Sequence, residues 1–183
     1  MEKFEFSDRY KSRVEWVLSK YPSERKKSAV MPLLDLGQRQ NNGWLSQAII
    51  QKVAEMLEMP LIRVQEVATF YTMYRLSPVG KNVISVCGTT PCMLRGSEEI
   101  FKVCKDKLDL SPGETKNDVT LLEVECLGAC VNAPVVQIND YYHEDLDPES
   151  FTKILDDMVE GKLLKPGSCK GRKFSEPISG KSS

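Results

Sequence analysis

Cys87-Gly-Thr-Thr-Pro-Cys92 and Cys126-Leu-Gly-Ala-Cys130 are the two stretches on which the reading of this 183-residue chain turns. Between them lie enough residues for one helix and one strand. If the chain folds so that the pairs meet, four thiolates converge, and four convergent thiolates hold a metal ion or a metal cluster.

The residues around the pairs predict how they meet. Asn82 to Val86 is short and β-branched, a strand that delivers Cys87 at its C-terminal end. A loop carrying Cys92 follows. From Ser97 to about Leu108, the side chains of Ile100, Phe101, Cys104 and Leu108 recur on one helical face. A polar stretch from Asp109 to Asp118 leads into a second strand, Val119 to Val124, which ends beside Cys126. Each cysteine pair therefore sits just past the carboxyl end of a strand, where open α/β sheets place their ligand sites. Beyond Cys130, Pro134 to Ile138 and Tyr141 to His143 are expected to pair as a hairpin through Asn139-Asp140. Asp147-Pro148-Glu149 then opens a helix whose buried face is Phe151, Ile154, Leu155, Met158 and Val159, and Gly161 stops it. The order βαβ then ββα is the thioredoxin-like arrangement.

Upstream, residues 1–78 read as a helical domain. Four helices are expected: one capped by Ser7 or Asp8 and ended by Pro22, one over about Ser28 to Arg39, one capped by Ser46, and one starting at Pro60 or Leu61. The last two, joined at Glu58-Met59-Pro60, invite comparison with a helix-turn-helix DNA reader. The fourth helix, however, offers only Arg63 and Arg75 as cations, and its stripe of Val64, Val67, Ala68 and Tyr71 suits packing in a bundle. Ser77-Pro78-Val79-Gly80 marks the break to a second domain over 79–164. Residues 165–183 carry five Lys or Arg against the single Glu176, and are expected to form a solvated basic tail or to lie along a partner.

Composition excludes several classes of function. With 25 basic and 26 acidic side chains the net charge is −1, so no whole-chain field draws it to nucleic acid or to an anionic membrane. The apolar runs are a few residues long, far short of the ~20 that cross a bilayer. The opening Met1-Glu-Lys-Phe-Glu-Phe resembles neither a secretory signal nor a transit peptide, which points to a reducing cytoplasm. There, six cysteines serve as ligands, nucleophiles or buried thiols before they serve as structural disulfides. The single histidine, His143, excludes a two-histidine Rieske centre and, at an expected hairpin edge, is expected to face solvent. Neither pair is the C-x-x-C of a disulfide exchanger, and neither a P-loop nor a G-x-G-x-x-G fingerprint is present. The chain is therefore not expected to bind NADH itself, and no catalytic residue is assigned.

Two cysteine chemistries remain. A [2Fe–2S] cluster takes four thiolates, two per iron, and Gly88, Thr89, Thr90, Gly128 and Ala129 would let backbone N–H groups approach the sulfurs. Structural zinc also takes four cysteines, usually on small coreless modules, whereas a full α/β core is expected here. The cluster is the preferred reading and a zinc-stabilised interaction module the alternative. Cys104 falls on an apolar helix face and Cys169 in the tail, so neither is counted as a ligand.

The residues Cys87-Gly-Thr-Thr-Pro-Cys92-Met-Leu-Arg-Gly96, Glu125-Cys126-Leu-Gly-Ala-Cys130-Val-Asn-Ala-Pro134, Glu66-Val-Ala-Thr-Phe-Tyr71 and Gly43-Trp44 together resemble the 24-kDa (E) subunit family of respiratory NADH:quinone oxidoreductase, complex I. The resemblance implies a helical domain followed by a thioredoxin-like ferredoxin domain with one [2Fe–2S] cluster ligated by Cys87, Cys92, Cys126 and Cys130. It further implies a partner subunit that bears FMN and oxidises NADH, other peripheral-arm partners, and a place on the cytoplasmic side of the bacterial inner membrane. Similar subunits serve NAD-linked hydrogenases and formate dehydrogenases. Cys169 departs from the family pattern, in a segment expected to lack cysteine.

Overall fold

The computed structural model describes residues 3–172. Its backbone divides into two compact units, Met1–Lys81 and Asn82–Ser183. The first unit is helical: α1 (Asp8–Ser19), α2 (Val30–Gln40), α3 (Gln47–Leu57) and α4 (Leu61–Phe70), with a 3-10 segment, Ser23–Ala29, ahead of α2. That segment takes up the first residues of the expected second helix. It leaves Pro32 in the first turn of α2, where its missing N–H costs nothing. Leu33, Leu34, Ile49, Val53, Leu57 and Val64 are fully buried and close the core. Gly37 lets α2 approach α3, since a β-carbon there would lie 2.4 Å from the Ile49 side chain. The α4 stripe, Val64 and Ala68, is used up in this packing.

The second unit is a six-stranded sheet of β1 (Asn82–Cys87), β2 (Thr115–Lys116), β3 (Val119–Val124), β4 (Val135–Ile138), β5 (Tyr141–Glu144) and β6 (Gly167–Ser168), in the order β2-β3-β1-β4-β5-β6. Its helices are α5 (Thr90–Leu94), α6 (Ser97–Leu108) and α7 (Pro148–Val159). β1 and β3 run parallel, in register from Asn82 with Val119 to Cys87 with Val124, so both strands end together. β4 runs antiparallel to β1 and to β5, which gives the expected hairpin with Asn139 in the left-handed region. The core is Ile84, Val86, Ile100, Leu121, Val136, Phe151 and Leu155, contributed by sheet, α6 and α7. At the start of α7 the Asp147 carboxylate accepts from the Ser150 N–H at 2.8 Å, and the Ser150 hydroxyl takes the Asp147 N–H in return.

Four expectations need correction. The loop after Cys87 contains a short helix, α5, in which Pro91 sits in the first turn. The stretch 109–118 contributes β2, a two-residue edge strand whose few polar residues carry no period. The tail begins as structure: Gly167–Ser168 adds β6 parallel to β5, and the Cys169 N–H donates to the Glu144 carbonyl. The rest of the expected tail, 173–183, lies outside the described residues. β6 also overturns the reading of His143, because it turns the expected hairpin edge into an interior position. His143 is 1% exposed, paired with Val136 on one side and Gly167 on the other.

Neither ring nitrogen of His143 has a hydrogen-bond partner. Burial pushes its pKa down, and the nearby Lys165 backbone opposes this only in part. The unfolded chain then binds the proton more readily than the folded one, so stability is complete above the unfolded value of about 6.5 and declines as pH falls below it. Chemical denaturation across that range should show the decline in the parent protein and a flatter profile in His143→Leu. Asp147→Ala, which removes the cap of α7, should cost about 1 kcal/mol at neutral pH.

Candidate metal centre

The parallel register carries Cys87 and Cys126 to the same end of the sheet. After Cys87 the Gly88 N–H continues the pairing to the Val124 carbonyl at 3.1 Å. A β-carbon at Gly88 would lie 2.5 Å from a Glu123 carboxylate oxygen, so any larger residue here would have to displace the Glu123 side chain. Thr89 precedes α5, and α5 presents Cys92; both Cys87 and Cys92 are 1% exposed. On the other side Gly128, at φ +81°, turns the chain so that Cys130 opens a 3-10 turn, Cys130–Asn132, with Cys126 and Cys130 exposed.

All four thiols come together, as two pairs. Cys126 Sγ and Cys130 Sγ are 3.3 Å apart. Cys87 and Cys92 act on each other's thiols, and Cys87 interacts electrostatically with both Cys126 and Cys130. Donors surround the sulfurs. The Thr89 hydroxyl lies 3.2 Å from Cys87 Sγ and also reaches Cys126, and the Gly128 N–H donates to Cys126 Sγ at 3.4 Å. The backbone N–H groups of Thr89 and Leu127 also act on Cys87 and favour its thiolate.

These contacts divide the thiols. Burial raises the Cys87 thiol, but the bonds from Thr89, Leu127 and Cys92 outweigh it and hold its pKa below the ordinary value. Cys126 is lowered by the Gly128 N–H first and its bond to Cys130 second. Cys92 is pushed up to about 12, by burial and then by its bond to Cys87. Cys130 is raised by its bond to Cys126, then by burial and the neighbouring thiolates. One thiol of each pair is lowered and the other raised, and a bound cation would favour the thiolate at all four.

The donor set fits a [2Fe–2S] cluster: sulfur only, two and two, with backbone donors already aimed at the sulfurs. Among the described residues no group of three or more His, Cys, Asp or Glu is arranged around the position of a single ion. Cys104 is remote from the set, buried in the core with its thiol pushed up to about 12 by burial. Cys169 is exposed, on the turn after β6.

Sequence reading missed the side chains that hold the 126–132 segment. The Tyr142 hydroxyl donates to the Leu127 carbonyl at 2.8 Å, and Asn132 Nδ2 donates to the buried Glu144 carboxylate at 2.8 Å. Arg172 donates through Nη2 to the Val131 carbonyl at 2.7 Å while it pairs with the buried Asp145, which also accepts from the Ser168 hydroxyl. Arg172 beside Asp145 holds that carboxyl below its usual range, against the opposing effect of burial. Strand alternation was the one available signal. It sets Tyr142 on the face of β5 opposite His143, but the tail residues carried no signal at all.

Three similarities bear on this site. The family model for thioredoxin-like [2Fe–2S] ferredoxins matches residues 14–159. The E-subunit of NADH-quinone oxidoreductase from Rickettsia bellii is 59% identical over 155 residues, which cover 84% of this chain and 93% of that one. The mitochondrial NADH dehydrogenase [ubiquinone] flavoprotein 2 of Dictyostelium discoideum is 48% identical over 180 residues, 97% of this chain and 73% of that one. In fold the chain is similar to a solved NAD+-reducing [NiFe]-hydrogenase in its H2-reduced state, with a TM-score of 0.60 at 16% identity. That match covers 73% of this chain but only 23% of the hydrogenase chain, and at such identity the likeness is one of fold alone. From its N-terminal helices to α7 the chain belongs to the thioredoxin-like [2Fe–2S] ferredoxin family, among the E-subunits of NADH-quinone oxidoreductase.

Proposed function

We propose that Cys87 and Cys92 hold one iron of a [2Fe–2S] cluster, that Cys126 and Cys130 hold the other, and that the chain exchanges single electrons with the flavin of an NADH-oxidising partner subunit. The observation that carries this reading is the convergence of four thiols, as two pairs, at the common end of β1 and β3. When bound, such a cluster supplies one-electron redox chemistry. The residues of the chain do the rest. Hydrogen bonds from Thr89 and Gly128 favour the form with more negative charge on sulfur. Burial of Cys87 and Cys92 keeps water from one side, while Cys126 and Cys130 leave the other side open to an electron partner.

Exposed apolar residues rim both cysteine loops. Met93 and Leu94 follow Cys92 and Val131 follows Cys130, and all three are exposed. A rim of this kind beside an electron-transfer centre suits the face of a protein partner. The helical unit exposes Phe70, Tyr71, Met73 and Leu76 in one stretch from the end of α4 onward, a second surface that another member of the same complex would cover. No helix among the described residues is long and apolar enough to cross a membrane. The proposed place of the chain is the peripheral part of the complex, on the cytoplasmic face of a bacterial inner membrane. Identities of 59% and 48% to NADH-quinone oxidoreductase subunits, against 16% to the hydrogenase, favour that complex over a hydrogenase diaphorase.

Replacement of Cys87, Cys92, Cys126 or Cys130 by Ser, one at a time, should abolish or shift the EPR signal of the reduced protein, whereas Cys104→Ser should leave it unchanged. An unaltered signal in any of the four would remove that residue from the ligand set. Thr89→Val, which deletes a hydroxyl donor beside Cys87 and Cys126, should lower the reduction potential in a spectroelectrochemical titration. Expressed together with the flavin-bearing subunit, the chain should co-purify with it, and chains that elute apart would contradict the partner assignment.

A further inference from the structure

Leu127 stands between two sulfur contacts. Its own N–H favours the Cys87 thiolate, and the next N–H, that of Gly128, donates to Cys126 Sγ at 3.4 Å. Consecutive amides aimed at one anionic site form a nest, and the +81° φ of Gly128 is part of that turn. The Leu127 carbonyl accepts the Tyr142 hydroxyl at 2.8 Å. Carbonyl and N–H on either side of the Leu127–Gly128 bond are one conjugated planar group. A donor on its oxygen draws charge toward that oxygen and makes its N–H a stronger donor, the usual cooperativity of hydrogen-bond chains.

Taking the ligand set above as given, we infer that Tyr142 is a positioning residue that fixes the Leu127–Gly128 peptide, strengthens the N–H to sulfur bond at Cys126, and so raises the reduction potential of the centre. Tyr142 is built into β5 opposite Gln137, and its ring packs against the cluster of Cys87, Cys92, Ala129, Ala133 and Val135. The phenol therefore reaches Leu127 from a strand of the sheet, not from a loop that could move with it. Reduction adds negative charge at sulfur, so a stronger N–H donor stabilises the reduced form more than the oxidised one. Phenylalanine would keep the ring packing and delete only the hydroxyl.

The test uses the full chain purified without oxygen, with iron and acid-labile sulfide measured first. Tyr142→Phe should lower the equilibrium constant for reduction about threefold, a shift of ~28 mV to more negative potential at about 59 mV per tenfold for one electron. Its Fe–S stretching bands should lose part of the solvent-deuterium shift that marks N–H to sulfur bonds. Incorporation of 3-fluorotyrosine at position 142, a stronger donor of nearly the same shape, should move the potential the other way. Opposite signs from the two replacements are what a purely structural role cannot produce. A loaded Tyr142→Phe protein with parental potential, or both replacements shifting in one direction, overturns the role of Tyr142 and leaves the ligand set standing. If Tyr142→Phe fails to retain iron, the fluorotyrosine protein decides: a raised potential supports the inference and an unmoved one overturns it. A parental protein without iron and sulfide defeats the ligand set itself, and the inference with it.

Discussion

Parallel pairing of β1 with β3 is the constraint from which the site follows. Six residues in register carry both strands to one end of the sheet, and each strand is followed at once by a loop that bears a cysteine pair. The pairs lie more than thirty positions apart in sequence, yet no long-range loop has to be fixed to bring them together. A βαβ crossover does it, with α6 packed on the sheet through Ile100 and Cys104. The stability of the hydrophobic core is thus also what pre-positions the four thiols.

Around that frame, polar contacts decide how the second loop sits. Three of them converge on residues 127–132, from Tyr142, Glu144 and Arg172. Two come from β5, and the third comes from the segment just past β6. A loop that must wrap a cofactor has few apolar contacts of its own, and side chains from rigid neighbours fix it instead. The buried members of this set, Asn132, Glu144 and Asp145, each have a partner, which is the condition for keeping polar groups inside a domain.

Much of this was legible from the chain alone. Periodicity placed the helices α1, α3, α4, α6 and α7 within a few residues, because each has a strong apolar stripe and a clear stop. Turn chemistry gave the β4–β5 hairpin, and the spacing of Cys87, Cys92, Cys126 and Cys130 selected the four thiols that the fold brings together. Short elements escaped for a physical reason. β2 and β6 are two residues each, too short to show alternation, and they exist only because a neighbouring strand offers unpaired backbone groups. Missing β6 led directly to the error on His143, a residue whose burial depends on a strand more than twenty positions downstream. The support from Tyr142 and Arg172 was hidden for the same reason: it is set by which strands neighbour one another, not by any local pattern.

The central claim, that these four thiols hold a binuclear iron–sulfur centre, is tested most directly by metal and sulfide analysis of the anaerobically purified chain. The account predicts two irons and two acid-labile sulfides per chain, with the reddish-brown absorption of such a centre. One zinc per chain, with neither iron nor sulfide, would contradict it.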